Sequence, residues 1–174
     1  AGLAFVAASE KAQAAMKTAK LPRAFWDWEP MLKNTTGGNF PYTPACNLLF
    51  GLREALNLLE AEGLENVFAR HKRHAEATRA AASAWGLDVV CAEPREYSQS
   101  VTTIFMPQGH SGDAFRKVAL ERFGMSLGAG LGKLADKVFR IGHLGDFNDL
   151  MLAGTLGGVE MGLALSNVPH KAGG

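Results

Sequence analysis

From residue 65 to residue 165 the apolar pattern switches repeatedly between a helical and a strand period, which limits the fold more than any other feature of the chain. Val67, Phe68, His71, Ala75, Thr78 and Ala82 recur at helical spacing on one side of a predicted helix over 65–85, with Gly86 as its stop. Residues 87–91 and 101–106 are apolar or β-branched runs bounded by turn residues, which predicts two strands. Ser111 suits the N-cap of a helix through Phe123, with Phe115, Val118, Ala119 and Phe123 on one face. Residues 137–143 predict a third strand, and Asp146 or Asn148 opens a last helix to about Leu165. Helix, strand, strand, helix, strand, helix is the order of a small α+β unit whose sheet is covered on one face. The tail over 168–174 is expected to be loose.

Residues 1–42 do not fit that unit and read as the end of something larger. Residues 3–8 predict a short buried strand, and Ser9 a cap for a helix over 10–18. With no initiator methionine ahead of it, a buried strand there reads as a cut edge. Residues 20–43 hold Pro22, Pro30, Pro41 and the pair Gly37-Gly38, so an irregular connection is expected. Phe25, Trp26 and Trp28 within it argue for order, because such side chains bury large apolar area. Thr43 suits an N-cap and Pro44 the first position of a long helix in which Leu48, Leu49, Leu52, Leu56 and Leu59 recur. Gly63 interrupts that helix.

Composition narrows the function classes. Hydrophobic residues make up 47% of the 174 and charged residues 20%, too apolar for an intrinsically disordered chain. Eighteen Lys and Arg nearly cancel seventeen Asp and Glu, so neither a nucleic-acid partner nor a membrane surface is expected. The apolar run over 150–165 carries Glu160 and four glycines, against a membrane span, and the first nine residues lack the basic start of a signal peptide. Cys46 and Cys91 form no CxxC pair and no disulfide framework, which fits a reducing, cytoplasmic compartment.

Several motifs carry more than one meaning. The Gly-rich run over 124–132 fits neither a P-loop, because three residues rather than four separate Gly128 from Gly132-Lys133, nor a dinucleotide fingerprint, because a strand follows it. It is either a tight loop needing positive φ or a loop passing close to a ligand. His71 and His74 stand among Arg70, Lys72 and Arg73, a neighbourhood that repels cations and reads as a solvated basic face. His143 reads as structural. Arg140 sits mid-strand among apolar neighbours, sharing a face with Val138 and Gly142. A guanidinium there needs a partner: an acidic side chain in a structural ion pair, or a substrate carboxylate gripped bidentately. Thr43 is either only a cap or, with its helix N-terminus, an anion site suited to phosphate.

Four segments occur in a set order: Phe-Pro-Tyr-Thr-Pro-Ala (40–45), Gly-Leu-Arg-Glu-Ala-Leu (51–56), Gly-Leu-Glu-Asn-Val-Phe-Ala-Arg-His (63–71) and Lys-Val-Phe-Arg-Ile-Gly-His-Leu-Gly (137–145). Together they resemble the C-terminal half of the class V, fold-type I pyridoxal-phosphate aminotransferases, above all the serine–glyoxylate and alanine–glyoxylate enzymes. The resemblance implies the last strand, helix and loop of the large cofactor-binding domain over 1–42, an interdomain helix over 43–64 and a small C-terminal α+β domain over 65–174. In the family a lysine just before a Pro-Pro-Gly-Leu-like segment holds the cofactor as a Schiff base. Residues 1–5 look like the end of that segment, and none of the nine lysines stands in the matching place. The resemblance implies that Arg140 binds the substrate α-carboxylate and that Thr43 reaches the cofactor phosphate of a neighbouring subunit. A tyrosine three residues before that threonine also touches the phosphate in relatives; here Phe40 stands there, and Tyr42 is the nearest phenol. It further implies amino-acid and keto-acid substrates, and either a homodimer or a complementing N-terminal half as partner. A chain without the lysine is expected to be inactive alone. The competing reading is a non-catalytic α+β binding module derived from the same small domain.

Overall fold

The computed structural model describes residues 2–173. The chain divides into two units, residues 1–61 and 62–174.

In the first unit, α1 (Glu10–Met16) opens as the sequence predicts, with the Ser9 hydroxyl accepting from the Ala12 N–H at 3.3 Å. Residues 3–8 form no strand, and Leu3, Phe5 and Val6 lie exposed. A strand exists only where a neighbour satisfies its backbone, and no other strand stands in this unit among the described residues. The connection expected to be irregular contains a helix, α2 (Trp28–Thr36), capped by Asp27. Pro30 falls in its first turn, where a missing N–H breaks no bond, so this proline does not break the helix. The third helix, α3 (Cys46–Glu62), starts three residues beyond Thr43: the Pro44 and Ala45 carbonyls accept from Cys46 and Leu49. Thr43 is therefore not its N-cap. The leucine stripe of α3 is only partly covered, and the helix buries no residue among those described.

In the second unit α4 (Leu64–Trp85) is followed by β1 (Val101–Phe105), α5 (Gly112–Phe123), β2 (Gly128–Ala129), β3 (Val138–Gly142) and α6 (Asp149–Leu165). This is the expected α+β arrangement, with an antiparallel sheet in the order β1-β3-β2. The run over 87–91 contributes only a bridge from Val89 to Ile104 before the chain turns away into a 3-10 turn at Pro94–Glu96. The α4 face is largely the predicted one: Val67, Ala75, Thr78 and Ala82 are buried, joined by His74 and Trp85, whereas Phe68 is exposed and His71 only partly covered. Gly86, at φ 78°, ends the helix in the left-handed conformation that glycine adopts without a Cβ penalty.

The core lies between the sheet and α4, α5 and α6, around Trp85, Ile104, Phe115, Phe139, Ile141, Val159 and Leu163. Phe115 and Phe139 meet edge to face with centroids 4.7 Å apart. Gly162 on α6 makes room for Phe115; a Cβ there would stand 2.9 Å from its ring. The tail is held rather than loose as far as Gly173. Val168 is buried, the Lys171 N–H donates to the Trp85 carbonyl, and the Gly173 N–H and Trp85 Nε1 both donate to Glu160. Those two donors hold the Glu160 carboxyl below the usual range. Among the described residues no helix is long and apolar enough to cross a membrane.

Candidate functional site

Arg140 occupies the central strand of the sheet. Strand alternation sends Phe139 and Ile141 into the core and leaves Arg140 on the opposite face. The register sets Thr103 of β1 on one side of it and Gly128 of β2 on the other. Its side chain leans over Gly128: a Cβ built on that glycine would lie 3.1 Å from Nε and 3.5 Å from Cζ. Nε is buried without a hydrogen-bond partner, and among the described residues no carboxylate pairs with the guanidinium. A buried cationic nitrogen without an acceptor is costly, so the arrangement has room in its chemistry for an anionic partner. Of the two partners open to Arg140 from sequence, the internal acidic one is not found among the described residues.

Thr43 and Tyr42 belong to the first unit. The Tyr42 ring stacks on Phe25 with centroids 5.2 Å apart, so two of the aromatics flanking the connection hold each other. Thr43 is exposed, and its hydroxyl makes no hydrogen bond among the described residues. Just beyond it, the amides of Asn47 and Leu48 in the first turn of α3 donate to no described group. A free hydroxyl ahead of free helical amides is a donor set suited to an oxyanion such as phosphate.

The basic stretch of α4 is solvated in part: Lys72 and Arg73 are exposed as expected, whereas Arg70, His71 and His74 turn to other parts of the unit. Arg70 forms a bidentate pair with Glu62 at 2.7 Å and donates to the Gly145 and Phe147 carbonyls at 2.7 and 3.1 Å. His71 accepts from the Gly145 N–H, and buried His74 bonds Asp149 at 2.8 Å. Arg73 also reaches Asp149, and these two contacts hold its carboxyl below the usual range. The cluster thus pins the loop that follows β3, next to the strand bearing Arg140. His143 is structural as predicted. It is buried; its Nδ1 faces the Gln99 carbonyl, which can only accept, leaving Nε2 to accept from the Thr102 hydroxyl at 2.9 Å. Burial pushes its pKa below the ordinary histidine range.

The Gly-rich run resolves into distinct roles. Gly124 caps α5 at φ 63°, Gly128 and Ala129 form β2, and Gly130 lies against the Leu134 carbonyl with no room for a side chain. Sequence reasoning missed β2, and with it Thr103 and Gly128 as the neighbours of Arg140. A two-residue strand has no periodicity, and only the pairing register brings these positions together.

No family model matches the chain. Over 174 residues it is 47% identical to the serine–glyoxylate aminotransferase of Hyphomicrobium methylovorum, covering 99% of this chain and 43% of that protein. It is 44% identical over 172 residues to the L-aspartate–glyoxylate aminotransferase of Paracoccus denitrificans, again covering 99% of this chain and 43% of the relative. The crystal structure of pyridoxamine–pyruvate aminotransferase from Mesorhizobium loti superposes with a TM-score of 0.83 at 32% identity, over 95% of this chain and 43% of that one. The chain thus spans less than half the length of the relatives it matches.

Proposed function

The chain belongs to the class V, fold-type I pyridoxal-phosphate aminotransferases, matching their C-terminal part, and from that premise we propose that it supplies substrate-carboxylate recognition and part of the phosphate grip for a transamination that moves an amino group from serine or alanine to glyoxylate. In this reading residues 1–42 close the large domain, 43–64 form the interdomain helix and 65–174 form the small domain. The observation that carries it is Arg140: a guanidinium on the sheet, its Nε buried and unpartnered, with no carboxylate paired to it among the described residues. Every amino donor and glyoxylate itself present a carboxylate, and a planar fork meets both of its oxygens.

Pyridoxal phosphate, when bound, supplies the electron sink for bond breaking at the substrate α-carbon. The residues present fit its phosphate: the Thr43 hydroxyl and the amides of Asn47 and Leu48 have no acceptor among the described residues. Tyr42 stands beside them with its ring fixed on Phe25. Family resemblance supports a site shared with a second subunit, Thr43 reaching across to the neighbour's phosphate.

The experiment joins this chain to the N-terminal part of its Hyphomicrobium methylovorum relative. The rebuilt enzyme is expected to convert glyoxylate to glycine with serine or alanine as donor. The chain alone, treated with pyridoxal phosphate and borohydride, is expected to show no stoichiometric labelling of any one lysine. Selective labelling of a single lysine here, or a rebuilt enzyme that folds and loads cofactor but moves no amino group, overturns the reading.

Thr43→Val in the rebuilt enzyme is expected to weaken cofactor retention by about 1 kcal/mol or more, the scale of one hydrogen bond to a charged group. Because α3 begins at Cys46, the melting temperature should stay near that of the parent. Unchanged retention on dialysis would remove Thr43 from the phosphate site.

A further inference from the structure

Gly128 stands directly opposite Arg140 across the β2–β3 ladder. Facing residues of an antiparallel pair ordinarily keep their Cβ atoms about 4.5–5.5 Å apart. Here a Cβ on Gly128 would fall 2.9 Å from that of Arg140 and 3.1 Å from its Nε. The strands therefore approach more closely than two side chains allow, and the arginine stem occupies the space the missing side chain leaves. Backbone conformation does not call for this glycine: unlike Gly124 and Gly132, it has no positive φ. Glycine inside a strand is otherwise unfavourable, and it marks a place where something must come close.

What comes close is the guanidinium. No hydrogen bond from the protein orients it among the described residues, so packing over Gly128 is what sets its direction. We infer that Gly128 is a positioning residue for carboxylate binding: its bare Cα is the seat on which the Arg140 fork is aimed. The inference rests on the assignment of Arg140 to the substrate carboxylate.

The test uses the cofactor-loaded enzyme carrying this chain, with glycolate, a two-carbon carboxylate that has no amino group, as the binding probe in calorimetric titration. Arg140→Ala should weaken glycolate and raise the KM of amino donors; if it does neither, the assignment of Arg140 itself fails. Gly128→Ala is expected to raise the glycolate Kd and the donor KM by about tenfold or more, with a smaller change in kcat, because a misaimed fork loses capture. In the double variant Gly128→Ala with Arg140→Ala, both constants should match those of Arg140→Ala alone within about twofold. If Arg140→Ala weakens glycolate while Gly128→Ala does not, or if the two effects multiply, the positioning role is overturned.

A stability cycle covers the case in which Gly128→Ala folds poorly. Adding Gly128→Ala to an Arg140→Gly background should lower the melting temperature, or the soluble yield, less than adding it to the parent, because the atoms it would strike are gone. An equal loss in both backgrounds means that the arginine is not what fills the space, and the inference falls.

Discussion

Arg140→Ala in the rebuilt enzyme raises the KM for every amino donor and for glyoxylate, while cofactor binding stays near that of the parent. The expected loss is about 2–5 kcal/mol, the range for removing one partner of a desolvated charge pair. At 1.4 kcal/mol per decade this is a factor of roughly thirty to several thousand. Arg140→Lys should fall between the two, because an ammonium offers a point charge where the guanidinium offers two parallel donors. No ion pair within the chain is lost, since no carboxylate pairs with Arg140 among the described residues, so the melting temperature should change little. Steady-state kinetics and thermal melts on the same variants check this. A sharp fall in melting temperature with KM unchanged would make Arg140 a structural residue and remove it from the substrate site.

Phe139→Ala, one position away, is expected to do the opposite. Phe139 is fully buried, faces Ile104 across the sheet and meets Phe115 edge to face at 4.7 Å. Truncating a buried phenylalanine costs about 3–5 kcal/mol through lost burial and the cavity left behind. Urea titration of the rebuilt enzyme should show that loss as a lower midpoint at an unchanged slope. Whatever fraction remains folded should keep a KM within about twofold of the parent, because side-chain alternation sends Phe139 away from the carboxylate face. A stability loss below about 1 kcal/mol would mean that the Phe115–Phe139 pair is not central to the core.

These two neighbours also show how the sequence divides its information. The alternation in residues 137–143 was enough to set Phe139 and Ile141 on one face and Arg140 on the other, because a strand's side chains alternate; the structure decided which face is the core's, and it buries Val138 too. Caps were equally legible. Ser9 and Ser111 each accept from the helix they precede, Gly86 ends its helix at positive φ, and of the two candidates Asp146 and Asn148 it is Asn148 that caps α6, all through contacts within a few residues. Where local rules compete, the sequence misled. Pro30 reads as a breaker yet sits in the first turn of α2, Pro44 suits a first helical position yet precedes α3, and residues 3–8 have a strand's composition but, among the described residues of their unit, no strand to pair with.

By itself, then, the sequence determined the α+β order of the second unit, the caps at Ser111 and Gly86, the separation of Arg140 from Phe139 and Ile141 across β3, and Arg140 as a charge in need of an answer. All of these depend on spacing along the chain, which short-range sterics and burial convert into structure. The tertiary structure alone decided three other things. It set Gly128 and Thr103 beside Arg140 through strand register. It folded Arg70 and His71 onto the loop and His74 onto the start of α6, some 75 residues away, so that one side of the basic stretch acts as a clamp. It also tied the C-terminal tail back to Trp85 and Glu160. Each joins groups far apart in the chain, and such pairings are selected by packing of the whole core, for which no local pattern of residues carries a signal.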